Sequence, residues 1–576
     1  MSKRQAVSKE AEKASGLILD AFEDYNARFS DITRRAARRF QRGDHAGMQA
    51  DTVERIALYD QCIRETHDRL EHKLGGRLLS RRLWQAIRGR YAEAIHSQLD
   101  AELYKTFFNT LSRRLFHTRG VAPDIEFVAL DIEPTDQISH PVARDHFAVS
   151  TSLEEAWQRV LLSGPFRLPH WDRDEDARLL SDRLMERMKA LGEERVVAIE
   201  LLQTVFYRDG RAYRVGRIFG EERYLPCALV MVNRQGRLQV DALLTGHQEL
   251  SILFGYTHNY FLADLPTVGD AVVFLRTILP HKPLDELYTV LGRIKQGKTE
   301  RYRHFFRHLQ ATPEEKLVTA AGTAGMVMLV FTLPSYPLVF KVIRDHFGPA
   351  KPFGRARVIE RYRMVFRHER GGRLVDAQSY RHLRFPRERF DPDFLDQLLS
   401  ACGQSVTEDN GDLIISHCYV ERRVTPLNLY LPGADQQEQK RIIHDYGQAL
   451  VDLAHADIFP GDLLLKNFGV TRNGRVIFYD YDEIRRISEC RFRPIPRARD
   501  EVEELSDETW YTVSEGDVFP EQFPSFMGLT AEQLSWLQES HPSLFDYRWW
   551  QTLREQLHQG LPREYPAYPE QSRLCR

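Results

Sequence analysis

The feature that most constrains this chain is a change in its hydrophobic period near Leu317. Upstream, stretches such as "SGLILDAFEDYNARFSDITRRAARRF" and "RRLWQAIRGRYAEAIHSQLDAELYKTFFNTL" repeat apolar residues at intervals of three and four, which predicts helices over most of residues 1 to about 190. Downstream, "LVTAAGTAGMVMLVFTLPSYPLVFKVIRD" predicts two antiparallel strands around Pro334-Ser335. We therefore predict two domains, at residues 1–316 and 317–576.

A small sheet is predicted inside the helical first half. From about Arg195, runs of β-branched and aromatic residues flank Asp209-Gly210, and a second pair of runs flanks Gln235-Gly236. Such dipeptides between two strand-like runs are a hairpin signal. The second half alternates strands with helices predicted at "GRARVIERYRMVFRH" and "QEQKRIIHDYGQALVDLAHA". The predicted fold class is α+β.

Length, charge and cysteine usage exclude several classes of protein. A chain of 576 residues with 42% hydrophobic and 28% charged residues fits a globular protein with more than one core. The net charge of −2 does not favour electrostatic binding of the chain as a whole to nucleic acid or to a membrane. Six scattered cysteines without CxxC spacing predict a reducing compartment and no structural zinc. Because no stretch reads as a signal peptide or a membrane span, we expect a cytoplasmic protein.

Two features at the start of the second domain are typical of phosphate binding. Gly322 and Gly325 lie in "AAGTAGMVM", and glycine lets backbone amides approach phosphate oxygens. Lys341 lies in the middle of the apolar run "LVFKVIRD", where a lysine is costly unless it is paired. Alone, the glycines are more often a plain turn, and the lysine is as typical of an edge strand facing water.

An aspartate, an asparagine and two further acids follow in the order of a protein kinase. "PGDLLLKN" places Asp462 and Asn467 at the catalytic-loop spacing, in which the aspartate orients or deprotonates the hydroxyl and the asparagine holds a metal. "VIFYDYDEI" then carries Asp480 where a kinase has its D-F-G magnesium ligand. If that strand stays extended, Asp480 and Asp482 point the same way, and such a pair repels unless a cation lies between them. We predict a bilobal protein-kinase-like domain.

Several departures argue against an ordinary protein kinase. Pro460 and Gly461 replace the His-Arg pair before Asp462, the D-F-G glycine is absent, and no A-P-E triplet follows. The glutamate that would pair with Lys341 is not evident, and Glu360 in the following helix is the candidate. Two other functions stay open at this point: a kinase-like phosphotransferase acting on a small molecule, and a nucleotide-sensing pseudokinase.

Longer strings resemble one family over nearly the whole chain. "GKTERYRHFFRHL", "GMVMLVFTLPSYPLVFKVIRDHF", "CYVERRVTPLNLYL" and "PGDLLLKNFGVTRNGRVIFYDYDEI" are similar to the bacterial isocitrate dehydrogenase kinase/phosphatase family. The resemblance implies a bifunctional enzyme that phosphorylates a serine of NADP-dependent isocitrate dehydrogenase with ATP and also removes the phosphate. It implies Mg²⁺ or Mn²⁺, a regulatory first domain, AMP as an allosteric effector, and control of the branch between the tricarboxylic acid cycle and the glyoxylate bypass.

The resemblance also implies the site residues. Asp462 takes the place of the catalytic aspartate, with Lys466 after it, Asn467 and Asp480 as metal ligands, and Asp482 as the acid associated with the phosphatase reaction. The phosphate-binding lysine is Lys341, and the ATP-binding loop is Ala320, Ala321, Gly322, Thr323, Ala324, Gly325 and Met326.

Two details of the comparison with the family need separate mention. A further active-site aspartate of the family falls on Asp376 in "GGRLVDAQSY", although the residue pattern alone is typical of a helix cap or turn. The family loop commonly has a proline and a basic residue at two positions that are Ala321 and Ala324 here.

Overall fold

The computed structural model of the protein describes residues 3–128, 142–166, 170–255, 260–348, 351, 353–368, 372–496, 512–514, 516–559, 567–568 and 570–574. The α-helices in the first half are α1 (Lys3–Arg42), α2 (His45–Leu74), α3 (Arg81–Ile95), α4 (Ala101–Phe116), α5 (Leu153–Ser163), α6 (Arg173–Ala190), α7 (His247–Leu253), α8 (Val268–Ile278), α9 (Leu284–Val290) and α10 (Ile294–Ala311). Its strands are β1 (Arg144–Ala148), β2 (Ala198–Leu202), β3 (Phe206–Arg208), β4 (Arg211–Phe219), β5 (Tyr224–Arg234) and β6 (Arg237–Leu244).

The strands of the second half are β7 (Val318–Thr319), β8 (Met328–Thr332), β9 (Leu338–Ile343), β10 (Gln378–Pro386), β11 (Val406–Asp409), β12 (Asp412–Arg422), β13 (Thr425–Pro426), β14 (Phe468–Val470), β15 (Val476–Phe478), β16 (Arg491–Phe492) and β17 (Asp517–Val518). Its helices are α11 (Arg355–His368), α12 (Pro392–Cys402), α13 (Leu427–Tyr430), α14 (Gln436–His455), α15 (Phe523–Phe526), α16 (Ala531–Ser540) and α17 (Tyr547–His558).

The first half is helical, as predicted, with one break that the hydrophobic period does not show. The second predicted run divides into α3 and α4, because Asp100 adopts a positive φ of 56° between them. Its carboxylate accepts hydrogen bonds from the backbone of Val268 at 2.6 Å and Gly269 at 2.8 Å, at the start of α8. Asp100 therefore satisfies free amides of a distant helix, a long-range role that a local period cannot reveal.

The inserted sheet is antiparallel in the order β1-β2-β4-β5-β6, with β3 beside β4. Asp209-Gly210 joins β3 to β4 and Gln235-Gly236 joins β5 to β6, and all four residues have positive φ. Both predicted hairpins are confirmed. One face of the sheet packs on α5 and α6, and the other face joins the core of the long helices.

The second half has the two lobes predicted for a kinase-like domain. The first lobe contains an antiparallel sheet in the order β10-β12-β9-β8-β7, with α11 and α12 packed beside it. The second lobe is built around α14, with the small sheet β13-β14-β15 and the C-terminal helices α16 and α17. The segment from Arg423 to Val424 joins β12 of the first lobe to β13, and we call it the hinge.

Contacts at several places join the two halves. Phe305 on α10 packs against Phe340 on β9, with ring centroids 4.7 Å apart. Near the end of the chain, residues 567–568 and 570–574 return to the first domain, where Tyr568 donates a hydrogen bond to Asp241 Oδ2 at 2.5 Å and Arg573 pairs with Asp241 Oδ1 at 2.9 Å. The division at 316/317 falls between α10 and β7 and stays a prediction.

Two further predictions concern thiols and membranes. Cys62, Cys227, Cys402, Cys418 and Cys490 are buried free thiols, while Cys575 lies outside the described residues. Within the described ranges, none of the helices combines the length and the apolar character required to cross a bilayer.

Candidate active site

Lys341 lies on a central strand and is paired with a carboxylate. In β9 it lies opposite Val330 of β8 and Tyr419 of β12, so it is not on a sheet edge. Its Nζ lies 2.7 Å from Glu421 Oε2 and donates a hydrogen bond to the backbone oxygen of Tyr479 at 2.7 Å. Only 6% of Lys341 is exposed. The surface-lysine interpretation is therefore wrong.

The predicted partner of Lys341 is also wrong. Glu360 is exposed on α11, a helix that buries Val358, Tyr362 and Val365 instead. The true partner, Glu421, lies two residues beyond Tyr419 on β12, and side chains two apart on a strand share one face. The sequence could have indicated this partner. Glu421 lies in the strand-like run "CYVERRV", and a charged residue in such a run requires a partner of opposite charge, as Lys341 does in "LVFKVIRD".

The loop after α14 presents Asp462 through a tight turn. Gly461 has φ of +84°, and a Cβ there would lie 2.4 Å from the backbone oxygen of Glu483, so the turn requires glycine. Asp462 Oδ1 accepts a hydrogen bond from the Leu464 amide at 2.9 Å. Leu463 and Leu465 are buried beneath the loop. The leucines thus anchor a loop that leaves Asp462 half-buried at the cleft.

Tyr479 connects the catalytic loop to Lys341. Its amide donates to the backbone oxygen of Asn467 at 3.1 Å, and its hydroxyl donates to the backbone oxygen of Lys466. Its own carbonyl accepts the hydrogen bond from Lys341. Asn467 is buried, at the end of a short 3₁₀ turn. The structure therefore brings Lys341, Lys466 and Asn467 together around one residue.

Asp480 and Asp482 lie beyond the strand rather than on it. β15 ends at Phe478, so the expected extended strand through both acids is wrong. Between them Tyr481 turns inward, is fully buried and donates a hydrogen bond to the backbone oxygen of Val375 at 2.8 Å. That inward anchor fixes the two acids on the cleft side of the loop.

Burial and mutual repulsion shift the titration of both acids. Burial raises the pKa of Asp480, and the ammonium of Lys341 opposes this shift. Burial, with the neighbouring Asp480 carboxylate, raises the pKa of Asp482 to about 8. The Oδ1 atom of Asp482 is buried and accepts no hydrogen bond from the residues that the structure describes. Lys351, which pairs with Glu483 at 2.5 Å, also lowers the pKa of both acids.

This set of groups fits a divalent cation. Asn467, Asp480 and Asp482 supply amide and carboxylate oxygens, the ligand types that Mg²⁺ and Mn²⁺ prefer. An orphaned, buried carboxylate oxygen beside a second carboxylate is the arrangement that a bound cation would complete. We call Lys341, Glu421, Asp462, Asn467, Asp480 and Asp482 the cleft cluster.

The predicted ATP-binding loop forms the hairpin between β7 and β8. Residues 321–326 are exposed, and Ala320 donates its amide to the Val330 oxygen at 3.0 Å, closing the hairpin. A Cβ on Gly325 would lie 2.7 Å from the Met328 oxygen, so this turn requires glycine. The atom nearest to a Cβ built on Gly322 is Pro426 Cγ, at 3.6 Å, which places the loop over the hinge side of the cleft.

Comparison with known proteins identifies the family. The model described as isocitrate dehydrogenase kinase/phosphatase (AceK) kinase domain matches residues 315–570, and the corresponding regulatory-domain model matches residues 15–313. The chain belongs to the isocitrate dehydrogenase kinase/phosphatase family.

Named relatives match over nearly their full length. The isocitrate dehydrogenase kinase/phosphatase of Xanthomonas euvesicatoria pv. vesicatoria (strain 85-10) is 52% identical over 559 residues, covering 97% of this chain and 96% of the relative. The protein of the same name from Anaeromyxobacter sp. (strain Fw109-5) is 41% identical over 566 residues, covering 98% of each chain.

In this family member, Asp376 lies at the boundary with the regulatory domain. Its Oδ2 accepts hydrogen bonds from Arg301 of α10 at 2.7 Å and from Gln378 at 3.1 Å. Among the described residues, no hydrogen bond or ion pair joins Asp376 to the cleft cluster. Burial raises the pKa of Glu421 in that cluster and the charge of Asp376 adds to this shift, so Asp376 lies within electrostatic reach of the cluster while its hydrogen bond to Arg301 joins the two domains. Its catalytic role stays a prediction.

Asp376 belongs to a chain of buried and half-buried charges that the sequence did not reveal. Arg301 also donates to Asp285 at 2.7 Å, and Arg422 donates to both Asp285 at 2.8 Å and Glu286 at 2.8 Å. Arg422 directly follows Glu421 of the cleft cluster. We call this set the junction network: Lys282, Asp285, Glu286, Arg301, Asp376 and Arg422.

Two cavities flank Asp376. The first, of about 260 Å³, lies between the regulatory helices and β10, and we call it the aromatic cavity; its wall includes Tyr25, Arg55, Tyr59, Arg293, Lys295 and Lys298. The second, of about 220 Å³, lies behind the hinge. We call it the arginine cavity, and its cationic residues are Lys282, Arg422, Arg423, Arg472 and Arg475.

Proposed function

We propose that this enzyme phosphorylates a serine of NADP-dependent isocitrate dehydrogenase with ATP and removes the same phosphate, in the cytoplasm, at the branch to the glyoxylate bypass. The observation that carries the proposal is the cleft cluster, in which Lys341 pairs with Glu421, a tight turn presents Asp462, and the charges of Lys341 and Asp462 both act on the buried carboxylate of Asp480. The names of relatives that match over nearly the whole chain supply the protein substrate.

In the kinase reaction, the chain's own groups bind, orient and move a proton. Lys341 and the amides of residues 320–326 hold the ATP phosphates, and Asp462 accepts the proton of the serine hydroxyl. Lys466, within the same loop, contacts the transferred phosphoryl group in this proposal. Mg²⁺ or Mn²⁺ held by Asn467 and Asp480 would neutralise phosphate charge.

The phosphatase reaction is proposed to use the same cleft. Asp482 carries a buried oxygen without a hydrogen-bond donor, and such an oxygen can orient a water molecule toward a phosphoserine. We expect Asp482→Ala to slow dephosphorylation more than phosphorylation, measured with labelled isocitrate dehydrogenase in both directions. An equal loss of the two activities would remove the separate role of Asp482.

The test of the substrate is transfer of label from [γ-³²P]ATP to purified isocitrate dehydrogenase. Phosphate on a serine of that protein, with loss of its dehydrogenase activity, is the expected result. Label on a small molecule alone would support the phosphotransferase alternative. Saturable ATP binding without transfer or release of phosphate would support the pseudokinase.

We further propose the aromatic cavity as the site of AMP. Tyr25 and Tyr59 line the cavity with aromatic surface for a base, and Lys298 offers a cation without a carboxylate partner among the described residues. Burial and the charges of Lys295 and Arg113 lower the pKa of Lys298 to about 7. A phosphate beside it would stabilise its charged form, so the cavity favours an anionic ligand.

The same cavity is adjacent to Asp376, whose carboxylate lines its wall. A ligand there contacts the regulatory helices and the kinase domain at once. A ligand shifts the equilibrium between two conformations only if it binds one of them more tightly. A ligand that contacts both domains can bind one arrangement of the domains more tightly than another, and in this way it can change the ratio of kinase to phosphatase activity.

A further inference from the structure

The side chain of Lys298 on α10 lies between two cavities. One is the aromatic cavity, and the other, of about 190 Å³, is bounded by α4, α10 and β10. We call the second one the α4 cavity, and Arg113 and Lys295 line it together with Lys298. Because Lys298 is only half-buried, a small molecule in either cavity can contact its side chain.

The surroundings of Lys298 do not compensate a positive charge. Its Nζ donates to the backbone oxygen of Ser379 at 2.5 Å and lies 4.6 Å from the ring centroid of Tyr380. Among the described residues, no carboxylate forms an ion pair with it. The ionisable groups whose charges act on Lys298 include three cations and one thiol: Lys295 on α10, Arg113 on α4, Arg381 on β10 and Cys418 on β12.

Two acids line the aromatic cavity with Lys298, and both are already paired. Asp60 pairs with Lys295 at 3.4 Å, and Asp376 pairs with Arg301 at 2.7 Å. The ammonium form of Lys298 is therefore opposed by burial and by neighbouring cations. These conditions favour the neutral amine, which is the nucleophilic form of lysine.

The α4 cavity can stabilise a negative group attached to this amine. Arg113 binds Glu126 through Nε at 2.9 Å, and its two terminal nitrogens make no hydrogen bond within the described part of the chain. Arg113 and Lys295 both line the cavity beside Lys298. A carboxylate added to Lys298 would therefore have guanidinium donors and a second cation nearby.

We propose that Lys298 is a site of reversible carbamylation by dissolved CO₂. The lone pair of the neutral amine forms an N–C bond to CO₂, one C–O π pair moves to oxygen, and one N–H proton goes to solvent. The product, R–NH–COO⁻, keeps one N–H for the hydrogen bond to Ser379. CO₂ is small and uncharged, so neither the volume of the α4 cavity nor its cations exclude it.

This modification goes beyond the proposed function and does not depend on it. Its regulatory consequence does rest on the proposed AMP site. The carbamate replaces a cation by an anion in the wall of the aromatic cavity, so CO₂ should oppose the binding of the AMP phosphate.

The experiment is chemical trapping on the full, unaltered chain equilibrated with ¹³C-labelled CO₂ and bicarbonate. Triethyloxonium converts a carbamate to a stable ethyl ester, and mass spectrometry of peptides then locates the label. Because the pKa of Lys298 is lowered to about 7, its amine is mostly neutral at pH 8, whereas a lysine with the ordinary pKa of about 10.4 is mostly protonated.

We expect the label on Lys298 at pH 8 to exceed that on Lys440, an exposed lysine on α14, by at least about tenfold. At constant dissolved CO₂, the label on Lys298 should fall at least about tenfold between pH 8 and pH 6, because the reactive neutral form is lost. No label on Lys298, or no more label there than on Lys440, would overturn the proposal.

Two variants test the consequence for AMP by calorimetry, with and without CO₂ at constant pH and ionic strength. Lys298→Arg keeps a positive charge that is never lost, so it cannot form the adduct and should bind AMP equally in both conditions. The unaltered protein and Lys440→Met should bind AMP more weakly with CO₂. Label on Lys298 with unchanged AMP affinity would support the modification and contradict the placement of AMP in the aromatic cavity. Circular dichroism checks the fold of each variant.

Discussion

The junction network and the cleft cluster both bury charge, and they differ in how that charge is balanced. At the junction, Arg301 lies between Asp285 and Asp376, so each buried charge meets an opposite one. In the cleft, Asp480 and Asp482 share the fields of two lysines, and one oxygen of Asp482 has no donor among the described residues.

This difference distinguishes the junction network, which stabilises the fold, from the cleft cluster, which is suited to bind a ligand. A buried pair is costly to break, because removing one partner leaves an uncompensated charge. An unbalanced cluster in a cleft is typical of a functional site, where a metal or substrate completes the set. A change at the junction should therefore reduce stability, and a change in the cleft should reduce activity.

The largest effect is expected in the cleft. Asp462→Asn keeps the shape of the side chain but removes the proton acceptor, which contributes about 10²–10⁴-fold to a rate. We expect phosphorylation of isocitrate dehydrogenase to fall by this factor with little change in the free energy of unfolding. Asp396→Asn, an exposed change on α12, is the control for rate. Full activity in Asp462→Asn would contradict its role.

A substitution in the junction network should reduce the free energy of unfolding. Arg301→Met leaves Asp285 and Asp376 without their shared cation, and breaking such a buried pair costs about 3–5 kcal/mol. Urea titration should show this loss of unfolding free energy. Arg387→Met, which breaks an exposed pair with Glu408, should cost less than about 1 kcal/mol. Equal costs would erase the distinction between a balanced buried network and a surface pair.

A smaller effect is expected where the chain's end returns to the regulatory sheet. Tyr568→Phe removes the hydrogen bond to the buried carboxylate of Asp241, and such bonds to charged groups are worth about 1.5–3 kcal/mol. Thermal unfolding should detect the loss. Tyr224→Phe, whose exposed hydroxyl bonds a backbone oxygen, is the matched control and should change stability less. Unchanged stability in Tyr568→Phe would show that this contact does not tie the domains.

The smallest expected effect is the uptake of a proton when AMP binds in the aromatic cavity. Because the pKa of Lys298 is lowered to about 7, the free protein holds it mostly neutral at pH 8. AMP phosphate favours the charged form, so binding should take up a proton and weaken by up to about tenfold per pH unit above 7. Calorimetry at pH 8 in buffers of different ionisation heat measures the uptake.

Two variants decide that result. Lys298→Met should bind AMP without proton uptake, while Lys440→Met, an exposed change on α14, should behave as the unaltered protein. Proton uptake that persists in Lys298→Met would place the titrating group elsewhere.

Local patterns predicted much of this molecule and missed what depends on distant partners. The hairpins at Asp209-Gly210 and Gln235-Gly236 were readable because a two-residue turn is local. The order of Lys341, Asp462 and Asp480 was readable because it follows the order of protein-kinase motifs along the chain, which requires no knowledge of contacts in space.

The missed features are contacts between residues far apart in sequence. Glu421 pairs with Lys341 because β12 lies beside β9 in a register that the hydrophobic pattern of the sequence does not determine. Glu360, the candidate predicted on the helix, is exposed. Arg301 holds Asp376 from another domain, which a lone Asp before Ala-Gln cannot signal. Asp480 and Asp482 leave the strand because Tyr481 is anchored at Val375.

The most direct test of the central claim is a two-stage assay of the unaltered enzyme on purified isocitrate dehydrogenase. Dehydrogenase activity is followed first with Mg²⁺ and ATP, and then after adding AMP. We expect inactivation with phosphate on a serine, followed by reactivation with release of that phosphate. Unchanged dehydrogenase activity in the first stage, with ATP bound and no phosphate transferred, would contradict it.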